Sequence, residues 1–308
     1  MEKLLQKIEA KLGSENITEI ISEKLSNSEL NSWLLELFKR RSKKVQPPKL
    51  LQEFKTNRFV RPSSLDQLEF KKEELEWLEK ANDIGFEPII LSPLSPFGTC
   101  STVAFVDQNN IVSATRGTEV ISDSTNVLAL MAASEIKYNN KRGLIKYCTV
   151  HRQMRAQPFT HPEHTAHFGL ICMITAGKDI GERKFELQNL SEHLNYYYEM
   201  LSKRFDTQNI LFRIYTEEYE NTFNGKLKEL IQNFVEIKKL RYDTKPMMNN
   251  YYKELQFKFF IESKNIMLDV VDGGFVDWTQ KLLSNKKQRL LISAGGLELI
   301  TKIKNQPA

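Results

Sequence analysis

The sequence predicts an α+β protein, with a mainly antiparallel sheet flanked by helices and a helical extension at the N-terminus. Three features carry that expectation. Apolar residues recur at helical spacing through the first 45 residues, short β-type runs begin after Gly85, and those runs come in pairs with long helical patterns between the pairs. Strands that return directly on one another pair antiparallel, whereas a regular strand–helix alternation gives a parallel sheet. The expected division is a helical extension and linker over 1–64 and a core over 65–308.

Leu4, Ile8 and Leu12 form the first apolar stripe, Ile17, Ile20, Ile21 and Leu25 the second, and Leu30, Trp33, Leu34, Leu37 and Phe38 the third. Gly13 and Ser14 separate the first two, and Ser26 to Ser28 offer an N-cap for the third. One-sided stripes need a surface to pack on, either the core or a second copy. The basic run Lys39, Arg40, Arg41, Lys43 and Lys44 suits a helix C-terminus, and it also suits contact with RNA. Pro47, Pro48, Pro62, Ser63 and Ser64 mark 46–64 as an extended connection. Helical spacing resumes over 65–82 through Phe70, Leu75, Trp77 and Leu78. Beyond Gly85, strands are expected at 86–91, 101–106, 111–115, 145–150, 168–175, 210–215, 255–262, 266–271 and 289–292, with a hairpin turn at Asn109 and Asn110. Helices are expected at 124–137, 187–204, 225–240 and 277–283.

At 308 residues, 41% hydrophobic and 27% charged, the chain can bury a sizeable core. Its net charge of +5 permits a nucleic-acid partner without requiring one. Cys100, Cys148 and Cys172 sit among apolar or small neighbours and make no disulfide framework, which points to a reducing compartment. No apolar run reaches the roughly 18 residues of a membrane span. The start, MEKLLQKIEAKL, lacks the apolar centre of a signal peptide. A cytoplasmic protein with no membrane partner is expected.

Residues 147–179 read as an arginine-bearing hairpin. Arg152 and Arg155 stand at the end of one β-type run, turn formers Pro158, Thr160, His161 and Pro162 follow, and a second apolar run returns. A guanidinium fork there would pair with two oxygens of a phosphate or carboxylate at once. His151, His161, His164 and His167 cluster in the same stretch, near Cys148 and Cys172. Their spacing fits neither a HExxH helix nor a CxxC knuckle, so no metal is expected and the histidines read as hydrogen-bonding turn or pocket residues.

Four segments, in order, resemble the catalytic core of class II aminoacyl-tRNA synthetases, most nearly the histidyl group with its synthetase-like regulatory relatives. TRGTEVISDSTN, residues 115–126, is similar to the segment lining the amino-acid pocket, with Arg116 and Glu119 as candidates. As plain surface residues those two would pair with each other while Asp123 caps the next helix. HRQMRAQ, residues 151–157, resembles motif 2, which implies Arg152 as the catalytic cation on the ATP α-phosphate and places Arg155, Gln157 and His167 in the ligand set. Met154 takes the place of an acid that helps to read adenine. YYKELQFKFFIE, residues 251–262, resembles the strand whose paired tyrosines, here Tyr251 and Tyr252, floor the amino-acid pocket. DGGFVDW and SAGGLELI resemble the glycine-rich strand and motif 3, with Gly273, Gly274, Gly295, Gly296 and Glu298 at the site. Leu299 stands where motif 3 carries an arginine for the terminal phosphates.

Adenylate formation shifts negative charge among the phosphates, and fixed cations lower that barrier. Losing one such preorganised group costs about 10²- to 10³-fold in rate, and leucine cannot replace it. The resemblance therefore implies a class II synthetase-like paralogue that binds an amino acid and/or an adenine nucleotide, with ATP and Mg as implied cofactors, but lacks ordinary tRNA charging. Arg155, Arg289 or the Lys286, Lys287 pair are other sources of the missing charge. Two further readings stand beside it: a regulatory or interaction subunit that uses the fold as a scaffold, and an amino-acid ligase acting through an acyl-adenylate on a non-tRNA acceptor. The chain given ends at Ala308, shortly after motif 3, without room for the anticodon-binding domain of the histidyl group; tRNA contact would then fall to the N-terminal helices. Class II cores pair around motif 1, so a homodimer through 86–96 and the preceding helix is expected, with Trp77, Leu78 and Leu91 near the interface. Arg116 and Arg152 are expected to converge with the C-terminal glycines over one antiparallel platform.

Overall fold

The computed structural model describes residues 2–158, 165–216, 225–264 and 266–305. It begins with four helices, α1 (Glu2–Leu12), α2 (Ile17–Lys24), α3 (Asn27–Ser42) and α4 (Pro47–Thr56), none of which has a buried residue. Helix α3 starts on a capping box: the Ser26 hydroxyl accepts from the Glu29 amide at 3.3 Å, and the Glu29 carboxylate accepts from the Ser26 amide at 2.8 Å. Helix α4 corrects the extended connection expected over 46–64. Pro47 and Pro48 fall in its first turn, where a missing N–H goes unnoticed, so the prolines begin a helix instead of preventing one. The extension meets the core at few points. Asn31 Oδ1 accepts from the Gly117 amide at 3.1 Å, and the Arg58 guanidinium donates to the Ala156 and Gln157 carbonyls.

Helix α5 (Gln67–Asp83) follows, capped by Asp66, and buries Phe70, Trp77 and Ala81 on one face. Next come β1 (Glu87–Pro88), β2 (Leu94–Pro96), α6 (Thr99–Val103), β3 (Thr118–Val120) and α7 (Ser124–Tyr138). The strand expected over 101–106 is therefore the helix α6. Its first turn is held by Glu119, whose carboxylate accepts from the Gly98 and Cys100 amides at 2.8 and 2.9 Å, a tertiary cap that local propensity cannot reveal. The hairpin expected at Asn109 and Asn110 is a single 3₁₀ turn capped by Asp107, and 111–115 contributes only an isolated bridge, Ser113 to Glu119.

The remaining elements are β4 (Ile145–Met154), β5 (His167–Lys178), α8 (Lys184–Ser202), β6 (Ile210–Thr216), α9 (Gly225–Lys238), β7 (Arg241–Pro246), β8 (Lys253–Ser263), β9 (Ile266–Val276), α10 (Trp278–Leu282), β10 (Gln288–Gly295) and α11 (Leu297–Lys304). One sheet runs β1-β4-β5-β10-β9-β8-β6-β7. All pairings from β4 through β6 are antiparallel; the two outer pairings, β1 with β4 and β6 with β7, are parallel. Strand β7 escaped sequence reading because an exposed edge, RYDTKP, carries no apolar alternation.

Period-2 alternation gives the sheet two apolar faces. Ile171 and Met173 pack with Trp77, Tyr196, Tyr197 and Ile300 from α5, α8 and α11, while Cys172 and Ile174 pack with Leu128, Ala132 and Trp278 from α7 and α10. Trp77 is 0% exposed and meets Tyr196 edge-on at 5.8 Å. It is a core residue, not the interface residue the sequence suggested. No helix among the described residues is long and apolar enough to cross a membrane.

Candidate functional site

A cavity of about 710 Å³ lies over the sheet face shared with α7. The last residues of β10, the first half of β5 and parts of β8 and β9 form its floor; the turn entering α7 and the segment after β4 form its walls.

At one end the Tyr251 and Tyr252 rings meet edge-on, centres 4.8 Å apart, and each stands beside a carboxylate. The Tyr251 hydroxyl donates to Asp123 Oδ2 at 2.8 Å, and Asp123 also caps α7 through Oδ1, which accepts from the Thr125 amide and hydroxyl at 2.9 and 2.6 Å. Tyr252 lies beside Asp272, whose charge adds to burial in raising the tyrosine's titration. Asp272 Oδ1 accepts from Gln256 at 2.8 Å, while the Lys258 ammonium lies 3.9 Å from its other oxygen and 2.5 Å from Asp269. Burial pushes the Asp272 carboxyl up to about 6, with Lys258 pulling it down and Asp269 pushing it further up. Both tyrosine hydroxyls are held protonated, first by burial and then by the neighbouring carboxylates. Arg155 lines the cavity too; its Nε donates to the Ser122 carbonyl at 3.1 Å and its guanidinium lies over Phe168. Among the described residues, no carboxylate pairs with it.

The opposite end is closed on itself. Glu298, 2% exposed in its side chain, takes the Arg152 guanidinium at 2.9 Å, the Lys302 ammonium at 3.2 Å, the Ser63 hydroxyl at 2.6 Å and the Gly169 amide at 3.1 Å. Burial works against this carboxylate, but Ser63, Arg152 and Lys302 outweigh it and hold it below the usual range. Arg152 also donates to His167 Nδ1 at 2.7 Å, and His167 Nε2–H in turn donates to the Arg61 carbonyl. The motif-2 arginine position is thereby tied to the linker before α5.

Of the residues singled out in the sequence, Arg155, Gln157, Tyr251, Tyr252, Gly296 and Glu298 line the cavity, while Arg152 and His167 border it through Glu298. Arg116 does not join them. It lies exposed at φ +68° in the turn before β3, so the expected convergence with Arg152 does not occur. Glu119 is 1% exposed and caps α6 instead of facing the cavity or pairing with Arg116. Gly273, Gly274 and Gly295 give their space to side chains: a Cβ on Gly273 would meet the Phe257 ring at 2.4 Å, one on Gly274 the Tyr252 ring at 2.7 Å, and one on Gly295 the Tyr197 ring at 3.0 Å. Arg289 is engaged far from Arg152 by Asp179 at 2.6 Å and Glu186 at 3.1 Å, so it does not supply the missing cation. His161 and His164 lie outside the described residues. Among the described residues, no group of three or more His, Cys, Asp or Glu is arranged to hold a metal ion.

Sequence reading missed Asp123 as a wall residue, having taken it only for a cap, and missed Gln256, Lys258, Asp269 and Asp272. The available signal was polar residues at alternate positions of an apolar strand, Gln256 and Lys258. Their meaning depends on the register that sets Lys258 opposite Asp272.

The lining carries four carboxylates (Asp123, Asp269, Asp272, Glu298) against three cations (Arg155, Lys258, Lys302). Such a wall suits a ligand bearing both ammonium and carboxylate groups. Arg152 and Lys302 are both paired with Glu298, and Leu299 stands at the remaining arginine position.

No protein-family model and no curated sequence matches the chain. Solved structures do. An ATP phosphoribosyltransferase regulatory subunit/histidyl-tRNA synthetase from Bacillus halodurans is 13% identical, with 80% of this chain and 82% of that one covered at a TM-score of 0.61. The apo histidyl-tRNA synthetase of S. aureus is 11% identical over 82% of this chain and 71% of its own, also at 0.61. The histidyl-tRNA synthetase of Nostoc sp. PCC 7120 is 13% identical over 79% and 74%, at 0.57. With three of the four motif-like segments on the antiparallel strands of one sheet and the first in the β3 strand and the turn into α7 beside it, the chain has the fold of a class II aminoacyl-tRNA synthetase core, close in form to histidyl-tRNA synthetase.

Proposed function

We propose that this protein is a synthetase-like paralogue whose cavity binds a free amino acid and which does not charge tRNA in the ordinary way. The observation that carries the reading is the Arg152–Glu298 ion pair at 2.9 Å. A cation needed for the α-phosphate is neutralised by a buried carboxylate of the same chain, while Arg155 and the carboxylates beside the tyrosines still offer complementary charge to an amino acid's carboxylate and ammonium. In this arrangement Arg155 orients the carboxylate, Asp123 receives the ammonium, and Tyr251 and Tyr252 form the floor.

The test is a thermal-shift screen over the twenty amino acids and ATP, joined to an assay of amino-acid-dependent ATP–pyrophosphate exchange. Stabilisation by an amino acid without exchange is expected. Robust exchange that disappears in Arg152→Ala would overturn the reading.

A second reading, an interaction subunit built on the same scaffold, is favoured by the extension, where Leu4, Leu12, Trp33, Phe38, Leu50 and Leu51 stay exposed. A stoichiometric protein partner with no amino-acid binding in calorimetry would select it. The proposal includes a homodimer, supported by Ile90, Leu94 and Phe97 exposed in and beside the expected 86–96 interface; light scattering reads it directly. It also includes a cytoplasmic setting, supported by three buried free thiols.

A further inference from the structure

Resting on the amino-acid reading above, we propose that the ligand's side chain ends in a permanent cation, an ammonium or a guanidinium group, received by Asp272.

The two ends of such a molecule have separate receivers. Asp123 and Arg155 deal with the α-ammonium and α-carboxylate, and Asp272 faces the same cavity from the far side of the tyrosine pair. Asp272 is deeply enclosed by protein, yet 38% of its side-chain surface stays accessible because it opens onto the cavity. Its direct hydrogen bond comes from a neutral donor, Gln256, at 2.8 Å. The nearest ammonium, Lys258, leans towards Asp269 at 2.5 Å and stays 3.9 Å from Asp272. An enclosed carboxylate with an incomplete counter-charge is unfavourable in the empty cavity and favours a ligand that brings the cation. The raised titration of Asp272, to about 6, agrees with that geometry. The aromatic rings of Tyr251 and Tyr252 in the cavity lining suit an alkyl stem or a guanidinium group. A metal ion is the poorer occupant, since among the described residues no three metal-ligating groups converge there.

Calorimetry on the full chain at pH 7.5 compares lysine, ornithine and arginine with norleucine, which keeps the stem but lacks the charge, and with histidine and glutamate. A cationic member is expected to bind at least about tenfold tighter than norleucine, the order of one charge-assisted contact. Asp272→Asn should remove that preference while norleucine binding persists, its unliganded melting curve reporting that it folds. Should the variant not fold, the native chain is measured at pH 5 and 7.5. The groups facing Asp272 are Lys258, Asp269 and Tyr252, with Asp123 and Arg155 across the cavity, and the preference should shrink as pH falls through about 6. Tightest binding of norleucine, histidine or glutamate overturns this inference but leaves the amino-acid reading intact. So does a preference undiminished both in a folded Asp272→Asn chain and at pH 5. Binding of no amino acid overturns both.

Discussion

Glu298 and Asp272 face one cavity from opposite ends and act on the fold with opposite sign. Glu298 is surrounded by two cations, a hydroxyl and a backbone amide, and its folded form favours the charged state. Asp272 is enclosed with its nearest cation at 3.9 Å, and its folded form resists the charge. A carboxylate whose needs are met within the chain stabilises the fold; one whose needs are unmet weakens it, and it is on the second that the proposed ligand cation rests. The two ends of the cavity thus differ in how their carboxylates are compensated, on one sheet.

The largest effect belongs to the self-satisfied end. Glu298→Ala leaves Lys302 and Arg152 without their shared partner and should lower stability by about 3 kcal/mol, read from urea midpoints. Because the folded Glu298 titrates below its ordinary value, its contribution is present above the unfolded value of about 4.3 and is lost as pH falls below it. A cost under about 1 kcal/mol would mean that the closed network contributes little.

Next comes the support of the tyrosine floor. A Cβ at Gly274 would come within 2.3 Å of the Leu255 carbonyl oxygen and 2.7 Å of the Tyr252 ring. Gly274→Ala should cost about 2 kcal/mol and abolish amino-acid binding, whereas simple loss of backbone freedom would leave binding intact.

Asp272→Asn carries the comparison itself, because it should stabilise the empty protein. The folded carboxyl titrates near 6, above its unfolded value of about 3.9, so its penalty is fully present above pH 6 and fades as pH falls between those values. Discounted for the accessible part of the side chain, the gain at pH 7.5 should be about 1 kcal/mol, shrinking at pH 5. Destabilisation at pH 7.5 would erase the contrast with Glu298. Smallest is Tyr251→Phe, which removes one donor from an Asp123 that keeps its two Thr125 bonds. About 0.5–1 kcal/mol of stability should go, with a larger proportional loss in ligand affinity.

The reading of Arg116 shows where sequence stopped. TRGTEVISDSTN was recognisable as a pocket segment, but a turn with Arg116 and Gly117 both at positive φ precedes β3, and it is Asp123 and Thr125 that reach the cavity. Resemblance located the segment, and local backbone geometry chose the residues within it. In YYKELQFKFFIE the tyrosines were legible as a pair, whereas Lys258 gained its meaning only from a register shifted by irregularities in the β8–β9 pairing. Pro47 and Pro48 misled because proline begins helices as readily as it ends them.

By itself the sequence determined the first three N-terminal helices, most strands of the antiparallel platform, the paired tyrosines and the departures at Met154 and Leu299, because periodicity and residue identity are local properties. Tertiary structure alone decided that Glu298 would neutralise Arg152 and that Asp272 would be left open. Partners 146 positions apart in sequence meet only once strands β4, β5 and β10 align, and whether a buried charge finds its counter-ion depends on that alignment.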